Sequence, residues 1–324
     1  MRAIVVDRWQ EPKELVAREV AEPTPREHEV VLDVEAAGCN FFDILLVQGK
    51  YQMKPPFPFT PGAEVAGVVR QLGAGVRGVA VGDRVFAGVP LGAFAERIAL
   101  PAGALHPMPD GMTFPEGAAF PVVYPTSYAA LVYRANLLPR ETLLVHAAAG
   151  GVGVAAVQIG KALGARVIAT AGGSDKLAVA RRAGADLVID YSRSDWVDAV
   201  KQATDGRGAD VIYDPVGGDI FEGSMKCLAW NGRLLVIGFA GGTIPEVKAN
   251  RILLKNIAVV GLHWGAYAQH EPARVPEVFA GLAELYAAGH VRPLIFGSYG
   301  LDEVPQALDA LGSRATWGKV IIAP

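Results

Sequence analysis

Two rhythms of apolar residues divide the chain. From residue 1 to about 120, short Val-rich runs are broken by Gly and Pro, as in Glu29-Val-Val-Leu-Asp-Val-Glu35 and Val65-Ala-Gly-Val-Val69. Runs of β-formers between turn residues predict a mostly antiparallel β domain with turn-rich loops. After Pro125 strand-length apolar runs alternate with amphipathic segments of helix length. The series is Thr142-Leu-Leu-Val-His-Ala147, a helix over about 151–163, Arg166-Val-Ile-Ala-Thr170, a helix over about 174–183, Asp186-Leu-Val-Ile-Asp190, Asp210-Val-Ile-Tyr-Asp214 and Arg233-Leu-Leu-Val-Ile237. Such alternation predicts βαβ units, hence a parallel sheet between helix layers. The last stretch returns to the first rhythm: an amphipathic helix near 273–288, closed by Gly289, then short strands around 294–299 and 317–322 that fold back onto the first domain. The prediction is an α/β chain in which a doubly wound parallel-sheet domain, 121–289, is inserted into a mostly β domain made of 1–120 and 290–324.

Composition agrees. At 324 residues and 51% apolar content the chain can bury the cores of two domains, at roughly 100–200 residues each. A formal charge of -3 without any block of Lys or Arg speaks against nucleic acid and anionic lipid as partners. Met1-Arg-Ala-Ile-Val-Val-Asp7 lacks the long apolar core of a signal peptide and reads as a first strand. No run of about 18 apolar residues predicts a transmembrane helix, so a cytoplasmic protein is expected. Cys39 and Cys227, without C-x-x-C spacing, can build neither a disulfide framework nor a cysteine zinc site.

The strongest chemical signal is His146-Ala-Ala-Ala-Gly150-Gly-Val-Gly153, set between an apolar strand and a helix. Against G-x-G-x-x-G, Gly150 and Gly153 take the second and third glycine positions and Ala148 replaces the first. The second glycine lets a pyrophosphate approach the backbone, the third lets helix and strand pack closely, and the helix N-terminus supplies amide donors. Residues Ala149, Gly150, Gly151, Val152 and Gly153 are therefore expected to bind a dinucleotide. NAD-specific sites place a carboxylate at the end of the second strand. Here that strand ends Ala169-Thr-Ala-Gly-Gly173 and is followed by Ser174-Asp175-Lys176, whose hydroxyl and ammonium suit a 2'-phosphate. NADPH is the expected cofactor. The plainer alternative makes Ser174 a helix N-cap and Lys176 a solvated lysine.

The chain resembles the medium-chain dehydrogenase/reductase superfamily, and within it the zinc-free quinone oxidoreductases related to zeta-crystallin. The residues that carry the likeness are Ala36-Ala-Gly-Cys-Asn40-Phe-Phe-Asp43, Gly49-Lys-Tyr51, Pro55-Pro-Phe-Pro-Phe-Thr-Pro-Gly-Ala-Glu64-Val-Ala-Gly67, Val81-Gly-Asp-Arg-Val85, Ala149-Gly-Gly-Val-Gly153 and Ser313-Arg-Ala-Thr316. The resemblance implies a Rossmann domain inserted in a GroES-like, mostly β catalytic domain. Zinc enzymes of the superfamily take Cys in the first block and Gly-His-Glu in the third. Those slots hold Asn40 and Ala63 here, leaving Glu64 without companions, so no metal is expected.

The same resemblance assigns Asn40 and Tyr51 to the nicotinamide and substrate cleft. The amide can bond the substrate oxygen or the cofactor, and the phenol can stack or donate a proton. Plainer roles are a turn after Gly38 for Asn40 and a hydrophobic loop cap for Tyr51. Lys176, Tyr191 and Arg314 match the family's 2'-phosphate ligands, a charge-assisted clamp, with a domain-bridging salt bridge as the alternative for Arg314. Relatives carry Ser at the place of Gly173, so the serine is displaced to Ser174. Thr126 falls where relatives contact the nicotinamide end. Phe239, Leu262 and Trp264 follow the fifth and sixth strands, outside whose carboxyl ends ligands sit in such sheets. His146 and His263 read as structural.

Hydride transfer needs position and hydrogen bonds from the protein, while the cofactor carries the hard chemistry. Without a metal to polarise a carbonyl, a quinone or conjugated enone, which delocalises the incoming charge, is the expected substrate. Rival readings are a 2-enoyl thioester or enone reductase, an NADPH-binding protein with incidental activity, and a zinc alcohol dehydrogenase, which Asn40 and Ala63 oppose. The apolar strand Asn256-Ile-Ala-Val-Val260, placed late in the sheet, is where relatives pair across a two-fold axis, so a homodimer is expected.

Overall fold

A computed structural model describes residues 1–193 and 195–324. The chain divides into two compact units, Met1–Val122 with Pro293–Pro324, and Val123–Arg292.

The first unit is built on strands. A small antiparallel pair joins β1 (Arg2–Ile4) to β2 (Ala17–Glu19). The main sheet contains β3 (Glu29–Cys39), β4 (Glu64–Leu72), β5 (Arg84–Gly88), β6 (Arg97–Pro101) and β7 (His106–Pro107). From the end of the chain it takes β14 (Ile295–Gly300) and β15 (Lys319–Ala323). Its order is β14-β15-β3-β4-β5-β7, with β6 also paired to β3. All its pairs are antiparallel except β14 with β15. β3 runs through Cys39 and buries most of its residues on both faces, because it lies in the middle of the sheet. Val30, Leu32, Val34, Val65, Phe94, Val320 and Ile322 form the core. The helix Val304–Gly312, which the pattern analysis did not predict, buries Val304, Ala307 and Leu308, an i, i+3, i+4 stripe. A short helix, Phe41–Val47, follows β3 directly.

The second unit carries six parallel strands: β8 (Thr142–Val145), β9 (Arg166–Ala171), β10 (Leu187–Asp190), β11 (Ala209–Asp214), β12 (Leu228–Val236) and β13 (Ala258–Gly261). Their order is β10-β9-β8-β11-β12-β13. Counted from β8 this is the 3-2-1-4-5-6 arrangement of a Rossmann sheet, whose direction of travel reverses between β8 and β11. Leu144, Ile168, Ile212, Phe221 and Leu234 fill the core against the crossover helices.

Three details depart from the pattern. A helix, Val123–Tyr128, passes into a π-helical turn, Ala129–Arg134, ahead of the first strand of this unit. The helix expected near 273–288 spans Arg274–Ala287 in the second unit, where it buries Val278, Leu282 and Tyr286. β12 begins five residues before the expected Arg233, because Trp230-Asn231-Gly232 interrupts its apolar run and Asn231 adopts φ 61. The expected strand from Asn256 starts instead at Ala258, since Asn256 takes the left-handed conformation that closes the helix Ala249–Lys255. Among the described residues no helix is long and apolar enough to cross a membrane.

Candidate functional site

In the second unit the glycine loop follows the carboxyl end of β8. Ala147 turns the chain at φ 46, Ala148 donates its N–H to the Thr170 carbonyl at 3.1 Å, and the helix Gly151–Ala162 begins. A Cβ on Gly153 would lie 2.3 Å from the Ala147 carbonyl oxygen and 2.7 Å from the Ala148 Cα, so only glycine lets this helix approach the strand. Gly150 differs: its Cβ would meet nothing nearer than the Ala147 oxygen at 3.4 Å, leaving its backbone open to a ligand. The amides of Gly151, Val152 and Gly153 head the helix and have no intrahelical acceptor, the situation that favours a phosphate there. Ala149 is buried in the turn. Ser127 ties the loop down, donating to the Val152 carbonyl at 3.0 Å and lying 2.9 Å from the Tyr213 hydroxyl. Thr126, half-buried, precedes it on the same helix.

His146 is buried with both ring nitrogens engaged, Nδ1 with Thr170 Oγ1 and Nε2 with Ser224 Oγ, each at 2.9 Å. Ser224 spends its own proton on the Ile220 carbonyl, so Nε2 is the protonated nitrogen and Nδ1 accepts from Thr170. Burial lowers its pKa to about 3. It is a neutral packing residue, edge-on to Trp196 at 4.7 Å.

The loop after β9 brings several expected residues together. Gly173, not Ser174, caps the helix Ser174–Arg182, because the chain turns there at φ 82, ψ 160, a conformation open to glycine. Ser174 is the first helical residue, its hydroxyl 3.2 Å from Asp175. Lys176 stands in the same first turn, half-buried. The Tyr191 hydroxyl lies against Gly172, where a Cβ would meet it at 2.8 Å. Asp190, which the sequence reading passed over, holds this arrangement: its Oδ1 accepts from Gly173 N at 3.5 Å and Ser192 N at 3.0 Å. Its signal was its place immediately before Tyr191. Arg314 belongs to the first unit, where it is exposed and turns the chain at φ 60 after the helix Val304–Gly312. Phe239 and Leu262 follow β12 and β13 at the carboxyl end of the sheet, as the glycine loop follows β8. Trp264 packs 5.1 Å from Tyr267 and 6.4 Å from Phe279. His263 precedes Trp264 in the same loop.

In the first unit three strands assemble a buried polar cluster. The pairing Val320 with Cys39 sets Lys319 beside Asn40, and the pairing Ala37 with Val65 sets Glu64 beside Gly38. Gly38 leaves room for the carboxylate, since a Cβ there would fall 2.3 Å from Glu64 Oε1. Asn40 Nδ2 donates to Glu64 Oε1 at 2.8 Å, and Lys319 Nζ donates to Asn40 Oδ1 and to the Cys39 carbonyl, both at 2.8 Å. Lys319 also pairs with Glu64 Oε1, while Glu64 Oε2 accepts from Val122 N at 2.9 Å. Asp43, fully buried, accepts the Asn40 N–H at 2.7 Å through Oδ2, and its Oδ1 has no partner. Burial outweighs the lowering by the Asn40 N–H and Lys319 and pushes its pKa up to about 7. Burial, reinforced by Asp43, also holds the Cys39 thiol well above its ordinary range. Tyr51, half-buried, stacks on Phe42 at 5.3 Å, and burial followed by Asp43 raises its pKa. Sequence reasoning found Asn40 and Tyr51 but missed Lys319 and Asp43, although Asp43 closes a motif already singled out, three residues after Asn40. Among the described residues no group of three or more His, Cys, Asp or Glu is placed to hold a metal ion.

A cavity of about 230 Å³ lies at the opposite end of the second unit's sheet, by the start of β11 and β12. Its Lys201, Lys226 and Lys255 close three helices, and Lys255 donates to the carbonyls of Met225, Lys226 and Leu228. These ammoniums answer helix C-termini, so the cavity is no part of the candidate site.

Residues 151–284 match a family described as zinc-binding dehydrogenase, and residues 26–110 match the alcohol dehydrogenase GroES-like domain. The chain is 43% identical over 298 residues to the quinone oxidoreductase-like protein 2 homolog of Nematostella vectensis, covering 91% of this chain and 81% of that one. It is similar to the Escherichia coli quinone oxidoreductase complexed with NADPH, with TM-score 0.91, 32% identity and 100% of both chains covered. It is also similar to the quinone oxidoreductase from Thermus thermophilus, described with its NADPH complex, with TM-score 0.85, 38% identity and 100% of both chains covered. The chain therefore belongs to the medium-chain dehydrogenase/reductase superfamily, among its quinone oxidoreductase-like oxidoreductases.

Proposed function

We propose that the chain is an NADPH-dependent, zinc-independent reductase of quinones and similar conjugated carbonyls, acting as a cytoplasmic homodimer. The observation that carries the reading is the loop geometry of the second unit: an open Gly150 before a free helix N-terminus, and Lys176 and Tyr191 flanking a β9 terminus that bears no carboxylate. Two structural neighbours named as quinone oxidoreductases were solved with NADPH, which supports the cofactor and the substrate class.

NADPH, when bound, supplies the hydride. The chain's task is to hold it and to receive the charge that develops on the substrate oxygen. The glycine loop takes the pyrophosphate through backbone amides, and Lys176 with the Tyr191 phenol takes the 2'-phosphate. Asn40 keeps one N–H and one carbonyl lone pair beyond the bonds to Glu64 and Lys319, enough to bind one polar atom of substrate or cofactor. Tyr51, kept neutral by burial, offers a hydroxyl to the substrate oxygen. Asn40 and Ala63 in the metal-ligand slots, with the Lys319 ammonium already bound to Glu64, argue for a reaction that uses no zinc.

The test is NADPH oxidation, followed by absorbance, against quinones, small enones and enoyl thioesters, with NADH and a chelator as controls. Chelator-resistant turnover of quinones is expected. Lys176→Ala should raise the Michaelis constant for NADPH by on the order of tenfold and leave that for NADH unchanged, the loss of one charge-assisted bond. Arg314→Ala asks whether that arginine serves the same phosphate. Turnover of enoyl thioesters alone moves the chain to the rival reductase class, and tight NADPH binding without turnover makes it a binding protein.

A further inference from the structure

Glu64 and Lys319 are the most deeply buried ion pair in the first unit, and the proposed reaction gives neither a direct part. We propose that they form a positioning pair that sets the sense of the Asn40 carboxamide, so that it presents one predetermined N–H and one predetermined lone pair to the reacting groups. The inference rests on the reading that places Asn40 in the reaction.

A carboxamide has two ends of nearly equal shape and opposite hydrogen-bond polarity, so half a turn about its last torsion exchanges donor for acceptor. Asn40 has one end against each member of the pair. Nδ2 donates at 2.8 Å to Glu64 Oε1, and an ionised carboxylate only accepts. Oδ1 accepts at 2.8 Å from Lys319 Nζ, and an ammonium only donates. Turning the amide over would set its NH2 against the ammonium and its carbonyl against the carboxylate. Asn40, Glu64 and Lys319 are 7%, 0% and 4% exposed, so little water could relieve that mismatch. Neither partner can move aside. The three donors of Lys319 are matched by Cys39 O, Asn40 Oδ1 and Glu64 Oε1, and the other oxygen of Glu64 is held by Val122 N.

Burial alone gives no reason for charge here, because an apolar pair of similar volume generally stabilises a fold as well as a buried ion pair. What an apolar pair lacks is polarity, the property that distinguishes the two ends of an amide. Asp43 reaches the cluster from the helix Phe41–Val47 and the Cys39 carbonyl reaches it from β3, but Asp43 bonds the Asn40 backbone and leaves the side chain to Glu64 and Lys319.

The experiment is a double-mutant cycle on the full chain, with quinone turnover under saturating NADPH and the NADPH Michaelis constant both measured. Lys319→Met should lower kcat by about ten- to a hundredfold, the range expected when a reacting group loses its orientation, with the NADPH Michaelis constant changed less than about twofold. Asn40→Ala should lower kcat comparably, and the double variant should be no slower than Asn40→Ala, because Lys319 acts through that amide. Multiplying losses in the double variant, or wild-type kcat in Lys319→Met beside an impaired Asn40→Ala, overturns the pairing and leaves the role of Asn40 standing. Wild-type kcat in Asn40→Ala removes that residue from the reaction and the inference with it. Should Lys319→Met fail to fold, with Glu64 left buried and uncompensated, the neutral pair Lys319→Met with Glu64→Gln takes its place in the cycle. The same outcomes then decide.

Discussion

Asp43 is a residue whose chemistry burial in the fold changes. Its pKa of about 7 in the folded chain stands above the roughly 3.9 of an unfolded aspartate, so folding retains a proton that the unfolded chain releases. That contribution to stability is fully present below about pH 4 and is lost as pH rises through about 7. His146 and His106 act in the opposite sense. Burial lowers them to about 3 and about 4, so their contribution is present above the ordinary histidine value and lost as pH falls. Comparing wild type with Asp43→Asn cancels the histidines. Urea unfolding between about pH 5 and about pH 8 should show the stability of wild type relative to the variant falling as pH rises. A difference that stays flat means that Asp43 is ionised throughout. Its sequence signal was faint, because the aspartate of a short motif looks like an ordinary first-turn acid until the enclosing core is known.

At the scale of elements, the glycine loop separates two duties that the motif writes with one letter. Gly153 is a packing glycine, its Cβ direction blocked at 2.3 Å by backbone. Gly153→Ala should therefore cost about 1–3 kcal/mol of stability through overpacking, read by denaturant unfolding. Gly150 is an approach glycine with free space beside it, so Gly150→Ala should unfold nearly as wild type yet bind NADPH at least tenfold more weakly in a fluorescence titration, a loss of about 1.4 kcal/mol. Equal stability losses in the two variants would contradict this division. The strand–turn–helix unit was legible because period and turn chemistry are local. The helices Phe41–Val47 and Val304–Gly312 were not: one spans seven residues and the other nine, each too short to show a clear period.

For the whole molecule, the outer edge of the six-stranded sheet bears on the proposed homodimer. β13 is an edge strand with one side unpaired, and Leu253 and Leu254 on the preceding helix are 79% and 72% exposed. Exposed edges and apolar side chains together are usually covered in solution. Sedimentation should give twice the 34.1 kDa chain mass, and replacing both leucines by Asp should give the single-chain mass. A wild-type chain that sediments at 34.1 kDa removes the dimer.

The amino-acid sequence by itself determined the two textures of the chain, the parallel βαβ series and the phosphate-type loop, since each depends on φ/ψ preference and burial period over a few neighbouring residues. It also marked Asn40 and Glu64, through a resemblance carried by short motifs. Only the tertiary structure decided that Lys319, 279 positions from Asn40 and 255 from Glu64, closes their cluster. That outcome depends on the register of β15 against β3 and of β3 against β4, and a slip of one residue would turn the lysine to the other face. Register is set by the packing of whole strands, and no local pattern around residue 319 records it.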